Sequence, residues 1–398
     1  TSCCRSVVIR MRSTSKRATC SPTPASRHAV GLPRPPRWSL SERLDVAVVG
    51  AGPAGAATAI LLAEQGCRVS LLHTEPPGAA SLGESLSGAG VALLARFRVW
   101  ERFRAGPHRP VHARASAWGG DLVEQSAIFD PHGPAWLIDR EAFHGVLRER
   151  CVEAGAQVLT ARVTGCRAVQ GAGWRLDLAG GAVLVARTVV DATGRSCWVT
   201  RAVGGHCEVH DRMVAMVARL APAAPPDGTP VLIEATPTGW WYSAVIPSGA
   251  LVALFVTEAA IADLDDVATA WRESLTAAPY TSVRLRGARG AAPPEIRSVT
   301  VQRGVVPAST ACVAVGDAAL GLDPLSAAGL RTGLETALEA ARAVTATLDG
   351  DRSATAAYSD WARRLLDAHL AERVSYYDLE ARWPTAPFWA SRRLHHTT

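Results

Sequence analysis

Lysine is all but missing from this chain. The only one in 398 residues is Lys16, and from Leu44 onward there is none. That excludes a phosphate-loop lysine, a Schiff-base lysine and every other lysine-dependent catalysis in the body of the protein. No apolar run approaches the ~20 residues needed to cross a bilayer. The chain therefore reads as soluble, with no membrane span. The nine cysteines include no CxxC pair and no zinc-type double pair, so reduced thiols and a cytoplasmic setting are expected. His206 and His210 form an HxxxH without an acidic third ligand, and no metal site is expected there.

Acidic residues are scarce at one end only. Residues 1–43 carry a net charge of +8 and the remainder −2, so the overall +6 belongs to the tail. It gives no reason to expect a nucleic-acid surface on the folded body. The tail is rich in Ser, Arg and Pro and lacks the apolar core of a secretory signal. An Arg-rich, acid-poor segment fits a transit peptide. A disordered basic extension, or translation from an upstream start, is the plainer expectation.

What is present is a chain with 48% apolar residues, long enough for two or three domains. Leu44–Val49 reads as a buried parallel strand, followed by Gly50-Ala51-Gly52-Pro53-Ala54-Gly55. An Ala/Leu-rich helix runs to about Gln65, Gly66 closes it, and Cys67–Leu72 is a second strand. Leu86–Phe103, Arg140–Ala154, Ile261–Leu275, Ala328–Thr347 and Ala354–Tyr377 read as helices. Short strands alternate with glycine turns from Gln157 to Thr188, Arg187–Val190 reads as a strand returning to the sheet, and Met213–Val256 reads as an antiparallel sheet.

The glycine turn lies between a strand and a helix, which is the setting that makes it a dinucleotide cradle. Gly50 permits the tight turn, Gly52 lets the backbone approach a pyrophosphate, and Gly55 lets helix and strand pack, with Ala54 in the same cradle. Amides at the helix N-terminus stabilise the negative charge. The ribose-binding acid expected about 20 residues on is replaced by His73, with Glu75 two residues later. Far downstream, the strand Ala311–Val315 ends at Gly316-Asp317, where a carboxylate can accept hydrogen bonds from ribityl hydroxyls. Asp323-Pro324-Leu325-Ser326-Ala327-Ala328-Gly329-Leu330 then leads into a helix whose first amides can face the pyrimidine edge of a flavin. This pairing favours FAD over NAD.

On these motifs the chain resembles the flavoprotein monooxygenase superfamily with the aromatic-hydroxylase fold, and within it the halogenase-like oxidoreductases. In that resemblance Arg140, within Asp139-Arg140-x-x-Phe143, contacts FAD, and Asp191-Ala192-Thr193-Gly194-Arg195 is a second cofactor-proximal motif. Gly83-Glu84-Ser85-Leu86 resembles the segment beside the isoalloxazine. Gly239-Trp240-Trp241-Tyr242 with Ile246-Pro247 only partly resembles the halogenase tryptophan motif. The C-terminal Tyr376-Tyr377-x-x-Glu380-x-Arg382-Trp383-Pro384 and Pro387-Phe388-Trp389 is similar to a subgroup that includes flavoprotein maturases of quinone-cofactor enzymes, which hydroxylate a tryptophan of a partner protein.

The expected fold is α/β: a Rossmann-like FAD-binding domain from residues 44–210 and 300–350, an antiparallel-sheet substrate domain from 211–299, and a C-terminal helical segment from 351–398. The expected activity is monooxygenation of an electron-rich, aromatic or indole-type small molecule or peptide side chain through a flavin C4a-hydroperoxide. Electrons come from NAD(P)H or a separate flavin reductase. Glu84, Trp240 and Tyr242 are the substrate-cavity candidates. Bland roles stand beside these: strand packing for the aromatics, and capping or a salt bridge for Glu84 and Ser85. Alternatives are a reductase or dehydrogenase of an apolar substrate, a peptide-modifying maturation partner, and a halogenase. The last is disfavoured because flavin halogenases use an active-site lysine.

Overall fold

β1 (Leu44–Val49) is buried everywhere except at Asp45. Such a strand must be covered on both faces. It pairs in parallel with β2 (Val69–His73), Val46 opposite Val69, and with β3 (Val183–Asp191), Val49 opposite Asp191. Beyond β2 lies Gln157–Thr160, also parallel. The long strand β3 has two neighbours on its far side. Its first half pairs antiparallel with Gly173–Leu178, and its last residues pair in parallel with Cys312–Ala314. In the computed structural model the described residues are 43–74, 82–171, 173–222, 230–262, 265–290 and 292–393. The tail before residue 43, the neighbour Glu75 and residues 394–398 lie outside them.

The helix α1 (Pro53–Glu64) starts on Pro53, whose missing N–H costs nothing at that position. It carries no amphipathic stripe: Ala54 to Ile60 and Leu62 are all buried. A helix apolar all round must be enclosed. It packs against α2 (Arg140–Ala154) and α3 (Gly329–Leu348). Asp139 caps α2 by accepting from the Ala142 amide at 3.0 Å, and Gly155, at φ +99°, ends it. Burial of a side chain such as Ile60 or Leu62, both at 0% exposure, contributes about 1.5–3 kcal/mol.

A second, eight-stranded sheet is built on β4 (Met213–Ala221), β5 (Val231–Thr236), β6 (Gly239–Val245) and β7 (Leu251–Glu258), in the order β4-β7-β6-β5. These central pairs are antiparallel, as expected. β6 and β7 are buried almost without alternation. One face packs on Ala318–Leu322 together with α4 (Ala354–Asp378) and α5 (Pro387–Arg393), and the other on the helices Val267–Thr276 and Pro279–Arg284.

Three local readings change. The expected helix over Leu86–Phe103 is a two-residue strand, Ser85–Leu86, and two short helices, Gly88–Leu93 and Trp100–Ala105. Arg98 between them takes φ +56°, which no helix tolerates. The helix expected from Ile261 begins at Val267, where Asp266 caps it by accepting from the Thr269 amide. The second sheet also takes strands from 113–126: Arg114–Ala117 pairs in parallel with Val231–Glu234, and Val123–Ser126 forms the edge. The α/β class, with a Rossmann-like unit, an antiparallel sheet and C-terminal helices, stands.

Candidate functional site

Gly50 and Gly55 are glycines because the fold leaves no alternative. At Gly50 (φ +111°) a β-carbon would sit 2.1 Å from the Ala192 carbonyl oxygen, and at Gly55 one would sit 2.0 Å from the Gly50 carbonyl oxygen. Gly52 differs. Its backbone, at φ −66° and ψ 176°, suits any residue, and a β-carbon there would meet nothing within 4 Å. Nothing in the protein itself requires glycine there. The open approach to its backbone and to the first turn of α1 fits a pyrophosphate, which the helix amides and dipole stabilise. No acidic side chain stands in that turn to oppose it.

The cradle is tied to the downstream motifs through Ala54. A β-carbon on Gly316 (φ +59°) would come within 2.8 Å of the Ala54 β-carbon, and one on Gly333 within 3.6 Å. The first turns of α1 and α3 therefore lie side by side, with Gly316-Asp317 against them. α3 starts without a side-chain cap, and Gly329 faces open space. The Pro324–Ser326 turn that precedes it passes through Ala327 at φ +49°. Leu330 packs against the core around α1. Gly90 abuts both Leu86 and Arg331, which brings the 83–90 segment to the same helix start.

At that segment the structure gathers several expected residues. Glu84 accepts from the Leu82 amide at 2.8 Å and pairs with Arg140 at 3.1 Å. Ser85 pairs with Leu137 in a short antiparallel ladder. The Tyr242 hydroxyl donates to the Gly83 carbonyl at 2.7 Å. Burial and the nearby Glu84 carboxylate push that phenol well above its usual range. His73 stands at the end of β2, its Nε2 3.1 Å from the Thr160 hydroxyl. Asp317 is 39% exposed and pairs with Arg195 at 3.2 Å.

Trp240 sits two residues from Tyr242 on the same strand face but in a different environment. It is 1% exposed, and its indole donates to the Tyr377 hydroxyl at 3.1 Å. Tyr377 in turn donates to Asp323 at 3.0 Å. Burial raises the Asp323 carboxyl, and Arg373 and the Leu325 amide oppose that rise.

Sequence reasoning assigned no separate role to three of these residues. Asp191, fully buried, accepts four hydrogen bonds, from the backbone and hydroxyl of Thr193 and of Thr200, at 2.6–2.9 Å. It thereby holds the Ala192 wall behind Gly50. Arg195 donates to the carbonyls of Thr300 and Leu322 besides pairing with Asp317. Asp323 anchors the turn into α3, and the Asp-Pro dipeptide is its one visible signal.

Residues 45–216 match the FAD dependent oxidoreductase family. A protein named as an FAD-dependent oxidoreductase, LodB of Marinomonas mediterranea, is 26% identical over 88% of this chain and 97% of its own. QhpG, a peptidyl tryptophan dihydroxylase essential for tryptophylquinone cofactor biogenesis, is 26% identical with a TM-score of 0.74, covering 88% of this chain and 79% of that one. Over most of its length the chain is thus similar to FAD-dependent oxidoreductases. Its fold also resembles that of the flavin-dependent halogenase CmlS, at 20% identity and a TM-score of 0.78 over 90% of this chain and 68% of that one. Among the described residues, no helix is long and apolar enough to cross a membrane, and no three His, Cys, Asp or Glu side chains group to hold a metal ion.

Proposed function

We propose that this oxidoreductase is a monooxygenase that hydroxylates an electron-rich ring, of the indole type, on a peptide side chain or small molecule. The observation that carries the reading is the 26% identity to QhpG over 88% of the chain, in a body without a single lysine. The second half of that observation counts against halogenation, which needs a lysine to relay the halogenating species. Bound FAD, once reduced, supplies the activation of dioxygen. The chain's own residues bind, orient and exclude water.

Gly50, Gly52, Ala54 and Gly55 with the α1 amides hold the pyrophosphate in this reading, and His73 takes the ribose. Asp317 takes the ribityl chain. Pro324, Gly329 and Leu330 present the start of α3 to the pyrimidine edge. Arg140, Glu84 and Ser85 brace the segment beside the isoalloxazine. Tyr242 and Trp240 shape the wall facing the substrate, the first by fixing Gly83 and the second from within the buried network. The α3 dipole stabilises negative charge that develops on the reduced cofactor. Electrons come from NAD(P)H or a partner flavin reductase. The six free thiols among the described residues support a reducing, cytoplasmic setting.

The test is turnover with chemically reduced FAD, isotopically labelled dioxygen and a tryptophan-containing peptide or free indole, with bromide present. Incorporation of labelled oxygen without bromination is expected. Hydrogen peroxide as the sole product, or a brominated ring, overturns the proposal.

A second reading, a maturation enzyme acting within a complex, is favoured by one observation. Ile128 and Phe129 are 80% and 89% exposed just beyond the edge strand of the substrate sheet, as a protein-docking element would be. Co-purification with a small substrate protein, lost on changing both residues to serine, is its expected outcome.

A further inference from the structure

Tryptophan outnumbers phenylalanine in this chain, 12 to 6. Four of the indoles gather with Tyr377 in one continuous cluster. Trp118 meets Trp240, Tyr377 and Trp389 at ring separations of 6.5, 5.7 and 5.2 Å, Tyr377 meets Trp389 at 5.7 Å, and Trp389 stacks on Trp383 at 6.1 Å. The cluster is graded in burial. Trp240, Tyr377 and Trp389 are 1% exposed or less, whereas Trp118 and Trp383 are half-buried. At the outer end the Arg382 guanidinium lies 4.5 Å over the Trp383 ring. At the inner end the Tyr377 phenol donates to the Asp323 carboxylate, next to the turn that leads into α3.

Packing alone asks for apolar rings of the right shape. It does not ask for the two easily oxidised side chains in an unbroken series, nor for a carboxylate placed to take the phenolic proton. We propose that Trp240, Tyr377, Trp118, Trp389 and Trp383 form a conduit that carries single-electron oxidising equivalents between the buried Asp323 end and the surface. Its role is to drain damage from a site where oxygen chemistry goes astray.

The steps balance. A radical one-electron oxidant, such as hydroxyl radical derived from hydrogen peroxide, takes an electron from Tyr377 and is reduced to hydroxide. The phenolic proton passes 3.0 Å to Asp323. An electron from Trp389 or Trp118 refills Tyr377, and the proton returns from Asp323. The electron deficit moves on to Trp383, where a solvent thiol gives up an electron to the ring and a proton to water, becoming a thiyl radical; that proton neutralises the hydroxide formed in the first step. Each hop spans a single ring-to-ring spacing. The path is reversible in direction, because the electronic coupling between two rings is the same both ways.

That reversibility makes it testable from outside, on the full chain and without turnover. Azide radical, generated by pulse radiolysis, oxidises accessible indoles. The expected result is decay of the indolyl absorbance with first-order kinetics independent of protein concentration, matched by growth of a phenoxyl signal. Tyr377→Phe is expected to lower the phenoxyl yield at least twofold, and Trp383→Phe to lower the yield or rate of the same phase. Trp383 is half-buried and Phe preserves a stacked ring, so this second variant decides the matter should Tyr377→Phe not fold. Wild-type yields and rates in a folded Trp383→Phe or Tyr377→Phe protein overturn the proposal.

Discussion

The hydroxyl of Tyr242 rests 2.7 Å from the carbonyl oxygen of Gly83, joining the second sheet to the segment that leads to the start of α3. Gly83 takes φ +82°, and a β-carbon there would come within 3.1 Å of the Tyr242 ring edge. Tyr242→Phe keeps the ring and removes only the donor. A loss of about 1 kcal/mol in urea unfolding is expected. A several-fold weaker FAD affinity should accompany it, read by flavin fluorescence titration. An unchanged affinity would mean that the contact supports the fold alone.

The three glycines of the turn separate cofactor binding from folding. A β-carbon at residue 52 meets no atom within 4 Å, so the apo Gly52→Ala protein should unfold within roughly 0.5 kcal/mol of wild type. FAD affinity should fall by about 1.4 kcal/mol or more, a factor of ten. Gly55→Ala drives a methyl group into the Gly50 carbonyl and should cost roughly 1–3 kcal/mol of stability before any ligand is added. Equal effects of the two changes on apo stability would refute the assignment.

Asp191 accepts two donors on each carboxylate oxygen. Asp191→Asn turns one of those oxygens into a donor facing donors. A destabilisation of at least about 3 kcal/mol is expected, measured by urea unfolding of the apo protein. A variant as stable as wild type would show that Thr193 and Thr200 find other partners.

Stability should weaken on mild acidification. Burial, followed by the positive fields of Arg140 and Arg148, holds His144 down to about 4, from an ordinary 6.5. Above pH 6.5 the ring is neutral folded or unfolded and contributes no pH dependence. As pH falls through 6.5 the unfolded chain takes up a proton that the native ring refuses, and stability declines until about pH 4. His144→Gln should flatten this part of the profile of unfolding free energy between pH 7 and 4.5. Buried His108 and His369, also shifted down by desolvation, should leave a residual slope.

The strand, glycine turn and helix of residues 44–64 are legible because their physics is local. An apolar run, three glycines at fixed spacing and an alanine-rich helix lie within one short stretch, and two of those glycines are dictated by backbone clashes. Asp139 and Gly155 bracket α2 for the same reason, since cap and terminator act on neighbouring amides. Leu86–Phe103 was misread because its apolar spacing suits a helix while Arg98 adopts a left-handed backbone that no pattern announces. The surroundings of Trp240 could not be foreseen: its partner Tyr377 lies 137 residues away in sequence. The strands at 113–126 were missed because pairing with Val231–Glu234 is a long-range choice, with few apolar residues to signal it.

β3 has a consequence for how the molecule comes into being. Its last residues need Cys312–Ala314 alongside them, and α3, which flanks the cradle, follows later still. During synthesis the glycine turn and its Ala192 wall leave the ribosome early, yet the strand Cys312–Ala314 and the helix beside the turn emerge only after the whole second sheet. Until then the nascent chain carries an open sheet edge and an unfinished nucleotide cleft, a state prone to association. On the proposed reading of the site, loading with FAD is a late event, because a chain cut short before Cys312 lacks Asp317 and α3.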